Sequence, residues 1–323
     1  MQLTLKKNAD PAKTVVALAL CFFALALGCM YLGYVMLPFA AAFYAALLIY
    51  DKKKIASVIM SVIVLVINVF FNGILSLDAI GCVILGTLLF FLVKANASKA
   101  EAAVWLTAVT AIIICVTLIF VAIRSTREFS FEAVKGFYGD FYYSMKEEFS
   151  GILANFASLA PDQPALALSP AEVEALFNNC VLLTPAFILI FAFAVAGFML
   201  KVATALFLSF SGQKEDIFAW QFRATGLLAY FYLIVSVVNF FSQTAGGVFA
   251  MTVVTLATVF SVVFAYLGAK FLFFIIASRR GSVLAILILV GGFLIASSYA
   301  ITILSIIGAV FTIKSNKKPA KRD

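Results

Sequence analysis

The apolar run "CVLLTPAFILIFAFAVAGFMLK" at residues 180–201 decides the fold class of this chain. No Asp, Glu, Lys or Arg stands between Cys180 and Lys201. A helix that crosses a bilayer needs about 20 apolar residues, each adding roughly 1.5 Å along the axis. The run therefore predicts one transmembrane helix, and similar runs recur along the chain.

The composition extends this prediction to the whole chain. Of the 323 residues, 65% are hydrophobic and only 12% are charged, which is more apolar surface than a soluble domain can bury. The apolar runs are continuous and lack the alternation of an outer-membrane barrel. In lipid the backbone must satisfy its own hydrogen bonds, so these runs form helices. We predict an all-α, polytopic transmembrane helical bundle.

The remaining spans follow from the other apolar runs. Full spans are predicted at 15–36, 55–75, 79–94, 102–123, 218–242 and 248–276. Residues 37–50 are short for a span, and residues 283–313 are long for a single one. The charges favour a return by 37–50 and a hairpin of two short helices within 283–313, giving about ten helices. Eight full spans with two re-entrant segments is the alternative.

Basic residues are expected on the cytoplasmic side of a membrane protein. With the N-terminus inside, alternate loops carry Lys52 to Lys54, Lys94 with Lys99, Lys214, and Arg279 with Arg280. Lys201 and Lys270 are expected to anchor their helices at that same face. The segment 124–179 holds eight acids and four bases and is predicted to lie outside. The net charge of +8 therefore indicates a multi-pass cell-membrane protein with both termini cytoplasmic, whose partner is the lipid bilayer and not nucleic acid.

Five regions result. They are a cytoplasmic N-terminal segment (1–14), a first transmembrane group (15–123), an extracytoplasmic amphipathic helix with a proline-containing loop (124–179), a second transmembrane group (180–313) and a basic cytoplasmic tail (314–323).

The extracytoplasmic region contains the most unusual stretch of the chain, "SFEAVKGFYGDFYYSMKEEF" at residues 130–149. Apolar residues recur there at steps of three and four, so an amphipathic helix is predicted over 129–156. It would lie on the outer leaflet or close a pocket as a lid, with Phe137, Tyr138, Phe141 and Tyr142 on its inner side. Ser169, Pro170 and Glu172 then predict a capping box that starts another short helix.

Polar side chains that charge anchoring does not explain collect at the predicted outer ends of the helices. Asn68 and Asn72 are four residues apart and so share one helix face. If these faces converge, they line an outward pocket for a small molecule; the alternative is hydrogen bonding between helices or helix capping. The predicted binding residues are Asn68, Asn72, Asp78, Asn179, Asn239 and Gln243.

Catalysis is not predicted. The chain has no histidine, which removes His-dependent hydrolases and His metal sites. The five cysteines are scattered without paired spacing, so packing is preferred over a metal or disulfide role. Asp51 and Asp140 fall at helix ends on opposite sides of the membrane, and Glu147 and Glu148 have no histidine partner. We expect no enzyme, no metal and no cofactor.

Three stretches resemble the YybS-like family of bacterial membrane proteins, whose function is not established. They are "LSPAEVEALFNNCVLLTPAFILIFAFAVAGFMLKVATALF" (168–207), "FAWQFRATGLLAYFYLIVSVVNFF" (218–241) and "LSIIGAVFTIKSNKK" (304–318). The resemblance implies that the first six helices are similar to the substrate-binding subunits of energy-coupling-factor transporters. Such subunits bind a vitamin or a metal ion near the outer face and work with a separate ATPase partner. They dock through small residues, for which Ala41–Ala45 and Ala42–Ala46 have the spacing.

Two functions remain open from the sequence. One is the binding or transport of a small metabolite through an outward-facing pocket. The other is a non-transporting scaffold or regulator that engages an envelope or cytoplasmic partner. The chain has no glycine-rich nucleotide loop, so any use of ATP would require a separate membrane or ATPase partner.

Overall fold

A computed structural model describes residues 10–72, 78–159, 169–211, 226–242 and 247–316. These residues are almost entirely helical and contain no strand, which confirms the all-α prediction. The α-helices are α1 (Pro11–Leu32), α2 (Leu37–Tyr50), α3 (Ile55–Asn72), α4 (Asp78–Lys94), α5 (Lys99–Thr126), α6 (Phe131–Leu159), α7 (Pro170–Ser211), α8 (Gly226–Ser242), α9 (Gly247–Arg280) and α10 (Ser282–Asn316).

Four stretches within these helices are long and apolar enough to cross a membrane: Pro11–Cys29, Ala100–Thr126, Ala171–Ser211 and Val248–Ser278. Other apolar helices are shorter, among them α2 with 14 residues. At about 1.5 Å per residue, α2 is roughly 21 Å long and does not reach across a hydrocarbon layer of about 30 Å by itself. The helices are thus compatible with a membrane protein.

The capping box before α7 is present as predicted. Ser169 donates from its backbone N–H to Glu172 Oε2 at 2.7 Å, and the Glu172 N–H donates to Ser169 Oγ at 3.3 Å. The helix that it starts is not short, however, because α7 has 42 residues and ends at Ser211. The predicted span 180–201 lies within this helix. Pro185 lies inside it. A proline removes one backbone hydrogen bond, which a long apolar helix can tolerate when its neighbours support it.

The predicted hairpin within 283–313 is wrong. The structure has one helix, α10, from Ser282 to Asn316. Residues 283–313 contain no proline and no charge, so only the pair Gly291–Gly292 argues for a break. A glycine inside a helix costs about 1 kcal/mol relative to alanine, which is too little to end an otherwise continuous apolar helix.

The chain divides into two compact units. Unit 1 comprises residues 1–177 and 191–221, and unit 2 comprises residues 178–190 and 222–323. Helices α1 to α6 belong to unit 1 and helices α8 to α10 to unit 2, while α7 contributes to both.

In unit 1, α2 returns along α1. The Phe22 and Tyr44 rings lie 4.7 Å apart, and the backbone at Gly28 lies against Met36, so the contacts converge on the connecting turn. Gly33 occupies this turn at a φ of +52°, a conformation that favours glycine. Helix α2 therefore runs back along α1, while the return of 37–50 across a membrane, which the lysine distribution favoured, stays a prediction.

Helix α2 is the centre of unit 1. Its alanines have no exposed surface at all, namely Ala40, Ala41, Ala42, Ala45 and Ala46. A Cβ added to Gly86 of α4 would come within 2.7 Å of the Ala41 carbonyl oxygen, so the backbones of α2 and α4 are in close contact. The alanine faces that the family resemblance proposed for docking a partner are therefore already covered by the chain itself.

Contacts along α2 also define the two ends of unit 1. Leu37 lies against Gly81 of α4, and Lys54, four residues after α2, lies over Phe90. On α7, the matching contacts are Phe39 with Phe198 and Tyr50 with Phe210. Helices α2 and α4 and the second half of α7 therefore run in the same direction. We call the end that carries Lys52–Lys54 and Lys94 the lysine-rich end, and the end at Leu37 and Gly81 the opposite end.

Lys201 was expected to anchor its helix at the cytoplasmic face, but the parallel packing of α2 and α7 places it elsewhere. It lies nine residues before Phe210 on α7, or about 14 Å along the helix from the lysine-rich end. The side chain is exposed and has no hydrogen bond or ion pair with any described residue. Within unit 1, Lys201 is therefore not an anchor at that end.

Unit 2 is built on the contact of α8, α9 and α10. Its small buried core comprises Ala229, Tyr232, Phe264 and Ala309. Helices α9 and α10 cross at Gly268 and Gly308, where each glycine lies directly against the backbone of the other helix. Only residues without a Cβ allow such an approach, so this pair sets the crossing.

Candidate functional site

Helix α3 has an inverted distribution of polar and apolar residues. Ser57 and Asn68 are completely buried at 0% exposure. The exposed side chains are apolar: Ile55, Val58, Ile59, Val62, Ile63, Val66, Val69, Phe70 and Phe71. An amphipathic helix of a water-soluble protein shows the reverse pattern. Polar residues that face the bundle, with apolar residues outside, are typical of helices in lipid.

The six predicted binding residues divide between the two units. In unit 1, Asn68 is buried, Asn72 ends α3 and Asp78 begins α4. In unit 2, Asn179 is exposed on α7 and Asn239 is partly buried on α8. Gln243 lies outside the described residues. The convergence of all six around one pocket therefore stays a prediction.

The three residues of unit 1 do lie towards the same end. Helix α3 begins directly after Lys54 at the lysine-rich end and finishes at Asn72. Helix α4 runs back from Asp78 to Lys94. Asn68 stands 13 residues after Ile55, or about 20 Å from the lysine-rich end.

Sequence reasoning missed Thr110 on α5, which lies at a similar depth. It stands 11 residues after Lys99, or about 17 Å from the lysine-rich end, one turn before Ile113, which contacts Gly81. Thr110 is completely buried, and its hydroxyl has no hydrogen-bond partner among the described residues. Its neighbours Thr107 and Thr117 donate to helix carbonyls in the ordinary way. An unsatisfied buried hydroxyl is uncommon and is the kind of group that a polar ligand would satisfy.

The predicted amphipathic helix is present as α6, from Phe131 to Leu159. Of the four residues assigned to the inner side of a lid, Phe137, Tyr138 and Tyr142 are partly buried and Phe141 is about half exposed. Tyr138 donates from its hydroxyl to the backbone oxygen of Leu118 on α5 at 2.7 Å. Burial also raises the pKa of this hydroxyl above its usual range. Helix α6 is thus held against α5.

A second set of contacts joins α6 to the start of α7. Lys146 forms an ion pair with Glu174, and the Phe149 ring meets the edge of Phe177 with 5.8 Å between centroids. Both contacts lie within unit 1. Helix α6 therefore contacts two helices of its own unit. Phe131, near the start of its apolar face, is 79% exposed.

The lysine-rich end contains a buried carboxylate. Asp51 Oδ2 accepts hydrogen bonds from the Ser57 N–H at 3.0 Å and from the Ser57 hydroxyl at 3.1 Å. Lys54 Nζ lies 4.9 Å from the centroid of the Phe90 ring, in the geometry of a cation–π contact. Loss of solvent lowers the pKa of Lys54, an effect that the nearby Asp51 opposes and Lys94 reinforces. Asp51 therefore caps the first turn of α3, and this structural role explains why its carboxylate is buried.

Unit 2 contains a cluster of hydroxyl groups that the sequence did not indicate. The Tyr232 hydroxyl lies 2.7 Å from Ser305 Oγ and 3.4 Å from Ser261 Oγ, and so joins α8 to α9 and α10. The Tyr232 ring also stacks on Phe264 at 4.9 Å between centroids. Each hydroxyl has a partner, which makes the cluster a link between helices.

Among the described residues, the structure is all-helical, four stretches are long and apolar enough to cross a membrane, and polar groups are buried inside unit 1. No family model, no curated protein and no solved structure matches the chain. The resemblance to the YybS-like family stays a prediction.

Proposed function

We propose that this chain is a multi-pass membrane protein that binds a small polar molecule inside unit 1, as the first step of its uptake or sensing. The observation that supports this proposal best is the inverted helix α3, with Asn68 completely buried and its apolar residues outside. A polar side chain inside a membrane is costly and usually serves either a ligand or a neighbouring helix.

The chemistry of the interior limits the ligand. The buried polar side chains at this depth of unit 1 are the amide of Asn68 and the hydroxyl of Thr110. The buried carboxylate of Asp51 lies at the lysine-rich end and is already held by Ser57. An uncharged molecule with hydrogen-bond donors and acceptors fits these groups best, since no charged side chain is buried at this depth among the described residues.

The proposed orientation places the lysine-rich end in the cytoplasm and the opposite end outside, in agreement with the positive-inside rule. The N-terminus would then be cytoplasmic in a bacterial cell membrane, with about ten helices in all. The single helix α10 replaces the hairpin on which a cytoplasmic C-terminus depended. Any energy from ATP would be supplied by a separate partner.

The test is purification of the full chain in a gentle detergent, followed by native mass spectrometry. We expect a bound small molecule in the wild type and its loss in Asn68→Ala. Val64→Ala is the matched control, because Val64 is equally buried on the same helix but offers no hydrogen bond. Loss of the molecule from both variants would point to packing and not to recognition. A wild-type protein that is empty and gains no thermal stability from any uncharged metabolite would contradict the proposal.

A second candidate function is a non-transporting scaffold or regulator. It is favoured by the exposed aromatic residues of α6, among them Phe131, Phe141 and Tyr143. The same purification distinguishes the two functions, because a scaffold would carry a stoichiometric protein partner and no small molecule. Phe131→Ser together with Phe141→Ser would release that partner, while Ser144→Ala on the same helix would retain it.

A further inference from the structure

The thiols of Cys29 on α1 and Cys82 on α4 lie side by side in the core of unit 1. Their Sγ atoms are 3.3 Å apart, and the Cys82 thiol donates a hydrogen bond to Cys29. Neither residue has any exposed surface. Because 53 positions separate them in the sequence, their spacing gave no sign of this contact.

We infer that Cys29 and Cys82 are a redox-active pair that closes to a disulfide and ties α1 to α4. A disulfide bond is about 2.05 Å long, so the two sulfur atoms need to approach by only about 1.3 Å. The helices are already packed against each other. We expect rotation of the two side chains to supply this movement. Cys21 and Cys115 are exposed, and no described contact pairs either of them with another thiol.

The position of the pair favours oxidation. Cys82 follows Gly81, which contacts Leu37, so the pair lies at the opposite end from the lysines. In the orientation of the proposed function, on which this step rests, that end faces the outside of the cell, where disulfides form and persist.

The reaction balances with molecular oxygen as the oxidant, a small apolar molecule suited to an apolar core. The two S–H bonds break and one S–S bond forms. Two protons and two electrons pass to O2, which becomes H2O2. The product closes a loop between residues 29 and 82, which constrains the unfolded chain and is expected to raise the melting temperature by several degrees.

The test counts free thiols in the full-length protein. One sample is taken from cells quenched in acid, and a second is purified without reductant and exposed to air with copper–phenanthroline. Each is denatured, alkylated with N-ethylmaleimide and weighed intact. We expect three alkylated cysteines in both samples and all five after reduction.

Single variants identify the pair. Cys29→Ala and Cys82→Ala should each show four alkylated cysteines before and after reduction, because the remaining partner is left free. Cys21→Ala, the control on the same helix, should keep the disulfide and show two before reduction. Five free thiols in the air-oxidised wild type would overturn the inference, as would loss of the disulfide in Cys21→Ala.

The outcome is separable from that of the proposed function. Five free thiols in quenched cells, with three after air oxidation, would show that the pair can form a disulfide but does not do so in the cell. The proposed placement of this end outside the cell would then be wrong. Ligand loss in Asn68→Ala is measured on reduced protein and does not depend on this pair. Gel filtration of each variant shows whether it is folded.

Discussion

The hydroxyl of Tyr138 donates to the backbone oxygen of Leu118, eight residues before the end of α5, and this bond joins the amphipathic helix to a helix of membrane-crossing length. Leu118 therefore lies about 12 Å back from the end of α5. Helix α6 is thus packed alongside the last turns of α5 and does not merely follow them.

We predict that Tyr138→Phe loosens α6 by about 1 kcal/mol, the usual net contribution of one hydrogen bond. Hydrogen exchange should become faster in α6 at neutral pH and remain unchanged in α1 to α4. Tyr143→Phe is the control, because Tyr143 is exposed on the same helix. Equal exchange in Tyr138→Phe and the wild type would show that this bond does not hold α6.

The same bond predicts a dependence on pH. The pKa of Tyr138 is raised by burial, so the folded state keeps its proton when the unfolded chain has lost it. The stabilisation is complete below a pH of about 10, the usual tyrosine value, and is lost as the pH rises through the raised pKa. Exchange in α6 should accelerate above that pH in the wild type, and the acceleration should be smaller in Tyr138→Phe. An identical alkaline response in both proteins would assign the effect to other groups.

The crossing of α9 and α10 gives a prediction for unit 2. An added Cβ at Gly268 would overlap the Leu304 carbonyl group, and one at Gly308 would overlap that of Phe264. Each Gly→Ala change should lower the stability of unit 2 by about 1–3 kcal/mol, because the two backbones must separate.

Gly291→Ala is the matched control, since Gly291 also lies on α10 and a Cβ there meets nothing within 4 Å. It should be neutral or stabilising by up to about 1 kcal/mol, owing to the better helix propensity of alanine. Thermal unfolding monitored by exchange in α9 and α10 measures both changes. Equal behaviour of Gly268→Ala and Gly291→Ala would show that the helices do not cross at Gly268.

Local and charge-based features were predictable from the sequence. The apolar face of α6 and the capping box of Ser169 and Glu172 depend on residues close together in the sequence, and both are present. Helix α2 also runs back along α1, in the direction that the lysines after residue 50 require. Helix ends inside long apolar runs were not predictable. Pro185 and Gly291 normally weaken a helix, yet both lie inside continuous ones, because a proline or a glycine does not end a helix that its surroundings support.

The candidate sites show the same limit. Asn68 was identified because its polarity is unusual within an apolar run. The hydroxyl cluster joins Tyr232 to Ser305 across 73 positions, and the thiol pair joins Cys29 to Cys82 across 53. Contacts between residues so far apart depend on how whole helices pack against each other. The spacing of residues within one sequence does not specify that packing. Thr110 escaped notice because a threonine in a helix usually bonds its own backbone.

Lys201 provides a test of the membrane environment itself. If unit 1 lies in a bilayer as proposed, this lysine is buried in lipid about 14 Å from the lysine-rich end. A lysine near the centre of a membrane helix costs about 2.5–3.5 kcal/mol, less whatever its side chain recovers by reaching the surface. Lys201→Leu should therefore raise the unfolding midpoint in liposomes, whereas Lys53→Leu, at the exposed lysine-rich end, should not. A lower midpoint for Lys201→Leu would mean that the lysine holds a partner.

The buried carboxylate of Asp51 provides the last prediction. Asp51→Ala removes the acceptor of two hydrogen bonds from Ser57 and leaves the buried Ser57 N–H and hydroxyl without it. Because an unsatisfied buried donor costs about 1–3 kcal/mol, we expect a loss of about 2–4 kcal/mol in the free energy of unfolding.

Ser57→Ala alone should cost less, since its N–H still bonds the carboxylate. The double variant should then be less destabilised than the sum of the two, because the residues share one interaction. Lys53→Ala in the same loop is exposed and should be neutral. Additive effects of Asp51→Ala and Ser57→Ala would show that the carboxylate stabilises unit 1 by some other contact.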